Sequence, residues 1–200
     1  MATKYKFLIL VIVLLPILAC SRTDGNRETM SNQRETVGMT FWDIVDAVRN
    51  TSPNPESRPA ILEQHLVRLA ATEIQYFDKV YHEQLTKSYR WDLWGAAYII
   101  GGGCSDDGFR YFRDYLISEG REVFERSLSD PDSLAALKID GEAELESFGY
   151  AASKAYEKLT GSELPYPEIP GPRDPVGQEW EEDDLGSLFP RLAKKYGWDT

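Results

Sequence analysis

Cysteine is almost missing from this chain. In 200 residues there are two, Cys20 and Cys104. That excludes a disulfide scaffold and every CxxC-type metal or redox motif. HExxH, an EF-hand loop, the glycine-rich dinucleotide and phosphate loops, and GxSxG are absent as well. No metal and no cofactor is therefore expected. Positive charge is thin: 22 Lys and Arg stand against 33 Asp and Glu, a net charge of −11. The basic residues are scattered, and the one adjacent pair is Lys194-Lys195. A chain this acidic repels a phosphate backbone, which excludes nucleic acid as a partner. Period-2 apolar runs and internal repeats are lacking too.

Apolar residues are not lacking. Hydrophobic residues make up 42% and aromatics 12%, enough for one core and far from the composition of a disordered chain.

The longest apolar run, Phe7 to Leu18, has twelve residues and follows Lys4 and Lys6. A spanning helix needs about twenty, so the run reads as the apolar region of a signal peptide. Ile17-Leu18-Ala19-Cys20 places a branched residue where an ordinary cleavage site wants a small one. The tetrad resembles a bacterial lipobox, with Leu18 a less usual middle residue. The resemblance implies cleavage before Cys20, diacylation of its thiol and a lipid anchor to the membrane; two chains anchor stably where one is marginal. Ser21 stands where an Asp would signal inner-membrane retention, so the outer membrane is favoured where there is one. Loss of Lys4 and Lys6 with residues 1–19 takes the net charge from −11 to −13. Residues 20–38 are polar and read as a tether, spanning roughly 23 Å as a random coil. With Cys20 acylated, Cys104 has no disulfide partner within the chain.

From Met39 the pattern turns helical. Thr40 is a natural N-cap for a helix burying Phe41, Ile44, Val45 and Val48, ended by NTSPNP. A long helix is expected from Ser57 or Arg58, with Pro59 in its first turn, to about Leu85. Its apolar set includes Leu62, Leu66, Leu69, Tyr76, Phe77, Val80 and Tyr81. The next helix carries Trp91, Trp94, Ala97 and Tyr98 and ends at Gly101-Gly102-Gly103. Ser105 caps another with Phe109, Phe112 and Leu116. A short helix after Gly120 and a turn at Asp130–Ser133 follow. A helix from Glu142 to Leu159 is then stopped by Gly161. Five of the eleven prolines fall between Pro165 and Pro175, which reads as an extended arm. The acidic stretch Glu179–Asp184 and an amphipathic helix with Leu188, Phe189, Leu192 and Tyr196 close the chain. An arm of this kind docks on its own domain or serves a protein partner. The expected fold is all-α: a compact single helical domain over residues 39–160 with a proline-rich C-terminal arm over 161–200.

Reactive residue types crowd at one corner. Trp91 and Trp94 lie one turn apart, and Cys104, Ser105, Asp106 and Asp107 follow the glycines. Helix-corner chemistry accounts for most of them. Glycines turn the chain, Ser105 caps, and the two aspartates sit where the helix dipole favours carboxylates by about 0.3–1 kcal/mol each. The same residues are the candidate site: an acid pair beside a tryptophan platform. A Cys104–His65 nucleophile is a weaker candidate, because a histidine beside Leu62, Leu66 and Leu69 is more often a satisfied core residue. His82 falls on the polar face of its helix.

WDLWGAAYII, GGCSDDGFRYFR, GREVFERSLSDPDSLA, MTFWDIVDAV and EWEEDDLGSLFPRLAKKYG resemble the bacterial family known as domain of unknown function 4240, over about residues 39–196. Gly101 departs from the polar residue expected there. The resemblance implies a helical domain and assigns no activity or catalytic residue. The leading expectation is an exported, lipid-anchored binding or protein-interaction module at the cell envelope. The alternatives are a small-substrate enzyme using Asp106 or Asp107 as acid/base beside Trp91 and Trp94, and an envelope protein that neutralises a toxin.

Overall fold

Thr40 starts the first helix through a reciprocal cap. The Asp43 amide donates to Thr40 Oγ1 at 3.3 Å, and the Thr40 amide donates to Asp43 Oδ2 at 2.8 Å. This is seen in a computed structural model, which describes residues 39–139 and 143–198. The expected signal peptide, the tether and Cys20 lie outside the described residues.

Helix α1 (Phe41–Thr51) buries Phe41, Ile44, Val45 and Val48. A 3₁₀ turn with Pro55 leads into α2 (Arg58–Leu66). Then come α3 (Ala71–Lys87), α4 (Trp91–Gly101), α5 (Asp106–Ser118) and α6 (Arg121–Ser129). A second 3₁₀ turn, Pro131–Ala136, precedes α7 (Glu146–Gly149) and α8 (Ala151–Thr160). The chain ends in α9 (Leu185–Leu188) and α10 (Pro190–Tyr196). The fold is all-α. Among the described residues there is no strand, only one parallel bridge between Arg90 and Val176. No helix among them is long and apolar enough to cross a membrane.

Two expected helices are each broken in two. The long helix from Arg58 to Leu85 is α2 and α3, parted at residues 67–70. No Gly or Pro marks this break. Its signal is Glu73, whose carboxylate accepts the Ala70 amide at 2.7 Å and starts α3 without a hydroxyl cap. The break puts Leu66 and Leu69 both in the core. Tyr76, expected inward, is exposed on the outer side of α3. The expected helix to Leu159 is α7 and α8, parted at Tyr150 just after Gly149, and Leu159 itself is exposed.

One apolar cluster runs from Phe41 to Leu192. Each fully buried large side chain in it contributes roughly 1.5–3 kcal/mol. Helices α2 and α3 both pack on α8, and α5 packs on α7. The C-terminal segment belongs to this core. Leu185, Phe189 and Leu192 are buried in it, against α4 and the Pro131 turn. The amphipathic helix expected there is bent at Phe189, so Leu188 faces solvent. Gly95 explains the close approach: a Cβ there would stand 2.7 Å from Phe189 Cε2. Asp132 holds the start of α10, accepting the Arg191 amide at 3.1 Å and the Leu192 amide at 2.8 Å.

Candidate functional site

The glycine corner is held by its own parts. Gly102 takes φ +68° and Gly103 φ +129°, backbone that only glycine adopts freely, while Gly101 stays helical with open space around it. Ser105 Oγ accepts the Gly108 amide at 3.1 Å and caps α5. Asp106 and Asp107 are the first two residues of that helix, both exposed. Trp94 Nε1–H donates to the Cys104 carbonyl oxygen at 3.0 Å. Its ring stacks on Trp91 at 5.3 Å and on Phe109 at 4.9 Å. The Arg113 guanidinium continues the column, 4.8 Å from the Phe109 ring. Trp180 closes the other end, donating to the Trp91 carbonyl oxygen at 2.7 Å. Asp92 pairs with Arg90 at 2.9 Å.

Cys104 is a free thiol. Burial, with Glu144 nearby, pushes its pKa up to about 11, so at neutral pH it is neither a thiolate nor a strong nucleophile. It opens onto a small cavity of about 230 Å³ with Phe112 and Glu144. Trp91, Trp94, Asp106 and Asp107 do not line that cavity. His65 sits on α2, its pKa lowered by burial and by Arg68. The corner residues thus divide: the tryptophans go to an aromatic column, Cys104 to a small cavity, and Asp107 to a different place.

That place is a cleft of about 420 Å³ between α3, α5, α7 and the C-terminal arm. Asp78 and His82 line it from α3, one turn apart. Asp107, Arg110, Tyr111 and Asp114 line it from α5 at i, i+3, i+4 and i+7. These are two polar stripes facing each other at helical spacing. Glu146 and Tyr150 form the third wall, with Tyr150 Oη donating to Glu146 Oε1 at 2.8 Å. Leu164 and Tyr166 of the arm form the fourth, the Tyr166 ring meeting His82 edge-on at 5.0 Å.

Asp114, 2% exposed, is satisfied. It accepts a very short hydrogen bond from the buried Tyr81 hydroxyl, and Arg110 Nε lies 3.3 Å from it. Burial still raises its pKa to about 6 against the pull of Arg110. Gly149 leaves room over this trio: a Cβ there would stand 3.3 Å from Tyr81 Oη and 3.5 Å from Asp114 Oδ2.

Asp78 differs. It is 6% exposed, and its near neighbour is His82 Nε2 at 3.7 Å, beyond hydrogen-bond length. Among the described residues no donor hydrogen-bonds its carboxylate. Burial raises its pKa to about 6. His82 gives no compensating charge, because burial and Arg110 lower its pKa. Its oxygens are not sealed from water: among the described residues the buried side-chain polar atom without a partner is Tyr196 Oη, and the Asp78 carboxylate opens onto the cleft.

The sequence singled out Asp107 alone among the residues of this cleft. His82 falls on the polar face of its helix, and Asp78, Arg110, Asp114 and Glu146 are not singled out. The available signal was the stripe spacing on α3 and α5.

A family model described as "Protein of unknown function (DUF4240)" matches residues 38–158, more than half of the chain. The chain belongs to that family. No curated protein and no solved structure matches it.

Proposed function

We propose that this family member is an exported, lipid-anchored binding module whose ligand site is the cleft between α3, α5, α7 and the arm. One observation carries the site: Asp78 is nine-tenths buried at the cleft without a hydrogen-bond donor. Perturbed ionisable groups gathered in a concave, partly apolar cleft are the mark of a binding or active site. The anchor is supported by the lipobox-like tetrad ending in Cys20 behind an apolar run. The aromatic column and the capped corner give the cleft a rigid wall through α5.

Native mass spectrometry of the full-length protein from its own cells tests the site. A bound small molecule is expected on wild type and is lost in Gly149→Leu, whose side chain fills the space beside Tyr81 and Asp114. Apo protein in both forms contradicts the reading. A second reading, a small-substrate enzyme, is favoured by the carboxyl of Asp78, raised into the working range of a general acid or base. Turnover of the released molecule by wild type and not by Asp78→Asn would select it. Palmitate labelling that persists in Cys20→Ser would end the lipoprotein proposal.

A further inference from the structure

We propose that an apolar groove between α1 and α3 shelters an acyl chain carried by this protein's own Cys20. The inference rests on the reading of Cys20 as the lipidated residue and adds where its hydrocarbon goes when no bilayer holds it.

The groove encloses about 560 Å³, more than the cleft of the ligand site. Met39, Phe41, Trp42 and Ile44 line it from the start of α1, and Phe77 and Val80 line it from α3. Phe41, Ile44 and Phe77 are buried core residues, while Met39, Trp42 and Val80 are only partly buried. Tyr76, in the same lining, is 63% exposed. An apolar surface of this kind, left open to water, marks a contact site.

The polar side chains of the lining offer little to a polar ligand. Glu73 is the one charged residue there, and its carboxylate accepts the Ala70 amide at 2.7 Å to start α3. Thr40 is tied to Asp43 in the cap of α1. A ligand rich in donors or acceptors would lose water here and gain few partners. Hydrocarbon gives up no hydrogen bond and buries the apolar wall together with itself.

The position of the groove names its occupant. Met39 lines it, and the chain enters the fold through Met39. Only residues 20–38 separate Cys20 from this point. A coil of that length spans roughly 23 Å, so a group on Cys20 is held near the groove at an effective concentration on the order of millimolar. A free lipid has no such advantage. A diacylated protein must also keep its hydrocarbon from water between processing and insertion into a membrane. The groove provides that cover at the root of the tether.

Photo-crosslinking in intact cells tests the proposal. Cells making the full-length protein are fed a fatty acid that carries a diazirine and an alkyne, then irradiated, and the crosslinked peptides are read by mass spectrometry. Wild type is expected to carry the label through Cys20 and to crosslink within residues 39–44 and 72–84. Val80→Arg puts a charge in the lining, and Thr72→Trp fills it from an exposed position. Both variants should keep the label and lose those crosslinks, with circular dichroism confirming that they are folded. Wild type carrying no more label than Cys20→Ser overturns the lipoprotein reading and this inference with it. Label on Cys20 with crosslinks elsewhere, or with groove crosslinks unchanged in both variants, overturns the groove alone. Groove crosslinks that persist in Cys20→Ser come from other lipids and overturn the protein's own acyl chain as occupant. A crosslink joining two copies overturns docking within one molecule.

Discussion

Asp78 and His82 face each other across one turn of α3 at 3.7 Å and do not hydrogen-bond. Each is shifted by burial toward its neutral form, the carboxyl up to about 6 and the imidazole downward. Had the pair been built for stability, a shorter contact would have made it an ion pair. Held apart beside a cleft, it leaves the carboxylate available to something else.

The first prediction concerns pH and stability. Asp78 has a folded pKa raised above its unfolded value, so its contribution is fully present below about pH 4 and is lost as pH rises through about 6. Asp114 acts in the same sense in the same window. His65 and His82, lowered from 6.5, act oppositely, losing stability as pH falls through that region. The wild-type curve mixes these terms; the difference from Asp78→Asn isolates one of them. Urea unfolding from pH 4 to 8 should show the variant gaining on wild type as pH rises, by order of 1–3 kcal/mol above pH 6. A constant difference across the range would refute the assignment.

Gly95 sets the distance between α4 and the C-terminal segment. Gly95→Ala places a methyl group 2.7 Å from Phe189 and 3.1 Å from Trp180 Nε1. The expected cost is about 1–3 kcal/mol of overpacking, with a change in tryptophan emission as Trp180 shifts from Trp91. Thermal melts followed by fluorescence check both. An unchanged melting temperature would mean that the segment is not docked there.

Asp132 anchors α10 by two amide hydrogen bonds and by Arg191 Nε at 2.9 Å. Asp132→Ala leaves those donors unpaired and should cost about 1–3 kcal/mol. Hydrogen exchange should rise first in residues 185–196. Uniform exchange throughout the chain would argue instead for a global loss.

The Cys104 thiol, held up at about 11, should alkylate far more slowly at pH 7 than a free cysteine. Its rate with iodoacetamide should still be climbing at pH 10. A plateau near pH 7 would return Cys104 to the list of nucleophiles.

Much of the helical fold was legible because apolar residues recur at helical spacing from Phe41 to Ala155 and Thr40 and Ser105 are plain caps. The breaks at residues 67–70 and at Gly149 were not. The first carries no Gly or Pro and is set by the Glu73 carboxylate on the Ala70 amide, and at the second Gly149 lies close to the Tyr81 hydroxyl, a neighbour distant in sequence. The candidate site failed to show for the same reason. Asp78 and Asp114 look like surface charges within their own helices. In the fold both are buried and line a cleft shared with residues of α7, α8 and the arm residues Leu164 and Tyr166. The tryptophans drew attention by residue type, yet their rings are spent on one another and on Phe109.

A paired measurement at pH 7.5 on wild type and Asp78→Asn tests most directly whether Asp78 serves a ligand at the expense of the fold: unfolding free energy, and retention of the cell-derived small molecule in native mass spectrometry. The variant is expected to be at least as stable as wild type and to lose the bound molecule. A variant that is less stable and binds equally well would contradict it, making Asp78 a structural residue.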